Sequence, residues 1–145
     1  MPEILLRVNT AGDTADAHRA VATLDGIRGW WSNHVEGDDG VGGVFKVAFP
    51  EAPITFDFRV TEDAPGRVAW RCLAGPPEWV GADLTFDVTA GDGGGASLLF
   101  THGGWESTAD PFPFIAYSWA QILARLRAYV ETGRPAPFFE FSAPG

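Results

Sequence analysis

The sequence predicts an α+β domain in which a curved antiparallel sheet wraps a long C-terminal helix, with two short helices following the first strand. Three observations carry that reading. Successive segments between Phe45 and His102 alternate apolar and polar residues at period two, so each offers one dry and one wet face. Beyond them, Ile115, Trp119, Ile122, Leu126 and Tyr129 recur at helical spacing. The strands also form one run with the helices outside it, which segregates the helices to one side of the sheet.

Taken in order, Ile4 to Val8 alternates as an opening strand, and Asp13 and Thr14 offer N-caps for a short helix. That helix sets Ala17, Val21 and Leu24 on one face, with Asp25-Gly26 predicted to stop it and Ile27 to Trp31 predicted as a second helical turn. Gly37 to Gly43 reads as a loop or hairpin. Phe45, Val47 and Phe49 then share a face opposite Lys46. The cleanest alternation follows: Ile54, Phe56, Phe58 and Val60 against Thr55, Asp57, Arg59 and Thr61. Ala64-Pro65-Gly66 turns the chain into a strand carrying Val68, Trp70 and Cys72. Another strand carries Ala82, Leu84, Phe86 and Val88, and after Gly91 to Gly95 a last one carries Leu98, Phe100 and His102.

The covering helix has Asp110 as a predicted N-cap, Pro111 at the first helical position and Gly133 as the stop after Thr132. The tail, 134–145, holds Pro135, Pro137 and Pro144 and is expected to be irregular, with Phe138, Phe139 and Phe141 free to dock. No repeat or second domain is visible, so residues 1–145 read as one domain.

Composition narrows the function classes. Six Trp and eleven Phe beside two Tyr are more rings than a domain of 145 residues can leave outside, so many must pack inside or line a cavity. The net charge of −9 comes without a basic stripe, which argues against nucleic acid and against an anionic membrane surface. No apolar run nears the roughly 20 residues that span a bilayer. A lone Cys72 and an N-terminus without a signal-peptide pattern fit a reducing, cytoplasmic location.

Four signatures stand in order along this frame: Gly26-Ile27-Arg28-Gly29-Trp30-Trp31, Trp79 through Phe86, Phe100-Thr101-His102-Gly103-Gly104-Trp105, and Tyr129-Val130-Glu131-Thr132-Gly133. Together with the element order they resemble the START-like, or SRPBCC, superfamily. Within it the chain is most similar to bacterial single-domain proteins named after the ATPase activator of the 90-kDa heat-shock protein. The resemblance implies a helix-grip fold with a deep cavity between sheet and long helix. It also implies apolar ligands such as lipids or polyketides, and in a few members a cyclisation step. The eukaryotic activator has a further N-terminal domain that has no counterpart here.

The candidate ligand-binding residues are the dry-face rings Phe56, Phe58, Trp70, Phe86 and Phe100, with Trp119 and Ile122 from the helix and His102 as an inward polar handle. Ring-lined clefts suit apolar or aromatic guests because they bury ligand area without needing polar partners. Trp30 and Trp31 fall where the resemblance places a cavity mouth, one of them stapling the helices to the sheet. Trp79 and Trp105 fall in loops, where an exposed indole calls for a covering ligand or second subunit.

No catalytic constellation is recognisable. Serines lack an assignable base and there is no phosphate-binding loop; a catalytic His102 would need Asp57, Glu106 or Tyr117 to converge on it, and Asp57 alternates onto the wet face. His18, His34 and His102 are scattered, His34-x-Glu36 is too small a set for a metal, and no cofactor is implied. The leading expectation is therefore a binding module for a small hydrophobic molecule. Its alternatives are a cyclase or aromatase using the same cavity and a chaperone-linked or other protein-interaction module, including a homodimer formed through exposed tryptophans.

Overall fold

The computed structural model describes residues 2–50 and 53–141. Its element order is β1 (Ile4–Thr10), α1 (Thr14–Ala22), α2 (Leu24–Arg28), β2 (Val35–Gly37), β3 (Val44–Ala48), β4 (Thr55–Ala64), β5 (Arg67–Ala74), β6 (Asp83–Ala90), β7 (Ala96–His102) and α3 (Phe112–Thr132). The seven strands make one antiparallel sheet in the order β1-β7-β6-β5-β4-β3-β2, with α3 across its dry face. The strand alternation is thus a sheet burying one side: Phe45, Phe58, Trp70, Leu84, Phe86, Leu98, Phe100 and His102 are all closed to solvent.

Local differences from the sequence reading have identifiable causes. The break between α1 and α2 falls at Thr23, not at Asp25-Gly26. Thr23 is extended, its N–H closes α1 on the Arg19 carbonyl, and its hydroxyl accepts from Gly26 N–H at 3.0 Å to cap α2. Gly26 is there for close packing, since a Cβ would sit 2.5 Å from the Ala20 carbonyl oxygen. The second helix accordingly starts at Leu24 and ends at Arg28, short of Trp31.

The loop after Trp31 contains an unanticipated strand, β2, whose three residues are too few to show a period. Asp110 makes no cap for α3. Pro111 occupies that position with no side-chain bond, and its carbonyl accepts from Ile115 N–H at 2.9 Å. Gly133 ends α3 as expected, left-handed at φ 71°. Leu123 and Val130 join the buried stripe, while Ile115 and Tyr129 are half-buried.

Two tethers hold the C-terminal region. Glu131 accepts from Ala11 N–H at 2.9 Å and from the Thr10 hydroxyl at 3.1 Å, pinning the end of α3 to the end of β1. The tail, though irregular, then returns along the α2 loop. Ala136, Phe138 and Phe139 N–H groups donate to the carbonyls of Gly29, Trp30 and Trp31 at 3.0, 3.0 and 2.9 Å. This docks Phe138 and Phe139 against the core and sets Phe141 beside His34. The last part of the expected tail, 142–145, lies outside the described residues.

Candidate functional site

Most of the dry face is filled with rings. Trp31 is the hub: its indole is parallel to Trp70 at 6.2 Å and packs on Phe58 at 5.6 Å and Trp119 at 5.0 Å. Phe86 touches Trp70 and Phe100 at 5.1 Å each, and Phe100 meets Trp119 at 4.6 Å. Offset and edge-on pairs at these spacings are the favourable aromatic geometries. Phe58, Trp70, Phe86 and Phe100 therefore meet other rings of the chain on the sides where a guest would have to lie.

The packing loosens toward the first half of α3. There a cleft of about 220 Å³ is walled by Trp31, Phe49, Ile54, Phe56, Trp79, Phe114, Ile115, Ser118, Trp119, Ile122 and Phe139. Ser118 supplies the one hydroxyl among these described walls, and it is turned back to the Phe114 carbonyl at 3.0 Å. Of the residues proposed from sequence, Phe56, Trp119 and Ile122 meet at this cleft. Phe58, Trp70, Phe86, Phe100 and His102 lie behind it.

Sequence reasoning did not single out Phe49, Ile54, Ile115 or Phe139 as walls. Phe49 continues the face of Phe45 and Val47, and Ile115 belongs to the α3 stripe, so both carried a usable signal. Phe139 carried none beyond being apolar in a proline-rich tail.

Both loop tryptophans are covered by their own chain. Trp79 is 5% exposed, with its ring 4.7 Å from Phe56 and 4.4 Å from His102. Trp105 is 3% exposed and packs edge-on against Phe112 at 5.5 Å. The expectation of indoles left open for a partner is overturned, because the loops fold down over the end of the sheet. Trp30 supplies the staple, its indole N–H donating to the Ala20 carbonyl at 2.9 Å.

His102 is fully enclosed, and the Trp119 indole N–H donates to its Nδ1 at 3.1 Å. Burial pushes its pKa down to about 3, so the ring is neutral at physiological pH. A general base needs a pKa nearer the working pH and access to a substrate proton, and this imidazole has neither. Asp57 stands opposite Lys46 on the sheet, Glu106 is exposed in the loop after β7, and Tyr117 is 66% exposed on α3, so the three do not gather around His102. Cys72 is buried with its thiol pushed up to about 11 by desolvation, an unreactive state. His34 pairs with Glu36 at 3.2 Å, and among the described residues no three His, Cys, Asp or Glu side chains gather as metal ligands would.

The fold has solved counterparts. The Aha1 dimer from Colwellia psychrerythraea superposes with a TM-score of 0.80 at 29% identity, over 92% of this chain and 98% of that one. The fold is the START-like helix grip in its bacterial Aha1-like form. DynU16, a protein of the dynemicin biosynthetic locus, matches at TM-score 0.77 and 20% identity over 96% of this chain and 51% of its own. SSP2350 from Staphylococcus saprophyticus matches at 0.75 and 13% identity over 93% and 96% of the two chains. At such identities these last two show the fold alone. No family model matches the chain, and no curated protein matches it in sequence. Among the described residues of this Aha1-like grip, no helix is long and apolar enough to cross a membrane.

Proposed function

We propose that the chain binds a small apolar or aromatic molecule in the cleft between the first half of α3 and the β3–β4 edge of the sheet. The observation that carries this is a wall of rings and isoleucines whose one hydroxyl, that of Ser118, is already satisfied within its own helix. Such a surface gains from covering by apolar atoms and offers a polar ligand little beyond indole N–H groups. Its size selects the guest. At about 220 Å³ it exceeds the roughly 150 Å³ apolar cavity known to admit benzene and falls short of the roughly 300 Å³ at which drug-sized sites begin. One or two fused rings, or the end of an acyl chain, fit it. Phe56, Trp119 and Ile122 touch the guest, and the rings behind them hold those walls in place.

Equilibrium dialysis of naphthalene tests the reading. Wild type takes up one equivalent, and Ser118→Phe, which puts a ring into the cleft, takes up none while unfolding at a similar urea concentration. Equal uptake by the two proteins would refute it.

A second reading is favoured by one feature. Phe114, 64% exposed, lines the cleft mouth, and Tyr117, 66% exposed, stands one helical turn further along α3. A second copy could cover them, and the Colwellia neighbour is described as a dimer. Light scattering distinguishes the two: a concentration-dependent dimer abolished by Phe114→Ala supports self-association, and a monomer throughout removes it.

A further inference from the structure

The two edges of the sheet are finished differently. At one edge β2 is three residues long, and the tail lies beside the segment leading into it: Phe139 bridges to Ser32, and its carbonyl accepts from Asn33 N–H at 3.2 Å. At the other edge β1 runs for seven residues, Ile4–Thr10, in unbroken register with β7. Natural sheets blunt an open edge with short strands, prolines, bulges or a cover. β1 has no proline and no bulge, and among the described residues no backbone group bonds to residues 5–9 on the side away from β7. Helix α3 passes nearby but leaves a groove of about 410 Å³ beside the strand. Leu6, Arg7, Val8 and Asn9 all line it. Successive strand residues point to opposite faces, so four in a row line one groove only where it follows the strand's open edge.

The lining defines what fits. Ala120 and Ala124 of α3 are small and exposed, which leaves room for the side chains of an incoming strand. Leu6 and Val8 are half-buried and offer apolar contact, whereas Leu5, Arg7 and Asn9 are exposed on the opposite face. Both charged residues of the groove, Arg7 and Arg127, are cations, in a chain of net charge −9. Arg7 donates to the neutral Ser97 hydroxyl at 2.7 Å and pairs with no carboxylate among the described residues. Arg127 reaches only Glu131, at 3.4 Å, a carboxylate already shared with Thr10 and Ala11. A second copy joined edge to edge would gather two arginines from each chain, so charge favours an acidic strand of different origin. We propose that β1 accepts an extended segment of another protein as an added strand, one with apolar residues at alternate positions and an acidic residue facing Arg7. Main-chain bonds supply the affinity, and Arg7 with the apolar groove sets the choice of sequence. The groove shares no residue with the apolar cleft, so this site stands apart from the one that takes naphthalene.

The test is an NMR titration of the ¹⁵N-labelled full chain with a terminally blocked peptide, Thr-Val-Glu-Val-Thr, and with its lysine counterpart, Thr-Val-Lys-Val-Thr. The expected result is saturable shifts of the β1 amides, slowed hydrogen exchange at one alternate set of them, and tighter binding of the glutamate peptide. N-methylating both valines, or instead the glutamate and the threonines, blocks one or the other alternate set of backbone donors. One of these peptides should lose binding and the other keep it, a pattern that apolar or ionic adhesion does not produce. Arg7→Ala should weaken the glutamate peptide up to about fivefold and erase its advantage over the lysine peptide. Ala124→Trp, at an exposed position, fills the groove and should abolish binding of both while leaving the urea midpoint near that of wild type. Absence of binding, equal affinity for the two peptides, or the same response to both N-methylated forms would each overturn the proposal. So would β1 amides that become protected as the protein alone is concentrated, which would assign the edge to a second copy.

Discussion

The two halves of the dry face use the same residue types and reach opposite outcomes. Around Trp70, Phe86 and Phe100 the rings interlock and exclude a guest. Around Phe49, Ile54 and Phe56, next to the first half of α3, rings of the same kind pack on one another just as closely, Phe49 lying 4.9 Å from Phe56, yet leave about 220 Å³ uncovered by the helix. Hydrophobicity does not separate the regions, and what covers them does. The far end of α3 is drawn down by Glu131 on β1 and closes with Leu126 and Val130, whereas the near end is met by the returning tail through Phe139 and by the loop carrying Trp79. Aromatic alternation marks a face as dry, and the tethers of its cover decide whether it is core or site.

Trp31 belongs to both regions, so removing it breaks the contrast hardest. Trp31→Ala should cost about 3–5 kcal/mol in urea unfolding and join the cleft to the interior, admitting larger guests than wild type. If stability fell by less than about 1 kcal/mol, the interior would be far looser than the ring geometry indicates.

Next in size is a pH effect confined to the packed region. The unfolded His102 imidazole protonates near 6.5 and the folded one only near 3, so between those values the unfolded chain binds more protons. The stability that neutral His102 contributes is complete above about pH 6.5, declines as pH is lowered at up to about 1.4 kcal/mol per unit, and levels off near pH 3. Urea midpoints measured across that range should fall more steeply for wild type than for His102→Asn, and parallel curves would show that His102 is not held neutral.

Smallest in stability is the rim of the cleft. Phe114→Ala should shift the unfolding free energy by no more than about 0.5 kcal/mol, since the ring is largely exposed. It should still weaken naphthalene binding several-fold. Unchanged affinity would place the guest deeper than the rim.

Much of the fold was legible. Period-two alternation located the dry faces of β4 to β7, the stripe through Trp119 and Leu126 located α3, and Gly133 marked its end. These signals survive because burial acts on every second or every third-to-fourth residue over many positions. The errors fell where one local bond outweighs a pattern. Thr23 splits α1 from α2 through a single hydroxyl cap, and Pro111 opens α3 where Asp110 seemed the better cap.

The candidate site was only partly legible. Phe56, Trp119 and Ile122 reach the cleft, but Phe58, Trp70, Phe86 and Phe100 share their faces and spacing and lie behind it. Sequence period gives the side of the sheet and not the height of the helix above it. Trp79 and Trp105 misled for a related reason: a loop position predicts exposure only when the loop does not fold back over its own sheet.

The isoleucines provide the most direct test of the central claim that the cleft receives an apolar guest. Ile54, Ile115 and Ile122 line it, while Ile4 and Ile27 are buried elsewhere in the core. In a toluene titration of chain labelled at the isoleucine δ1-methyls, the account predicts saturable shifts at Ile54, Ile115 and Ile122 with Ile4 and Ile27 unmoved. No shift at any of them, or equal drift at all of them, would contradict it.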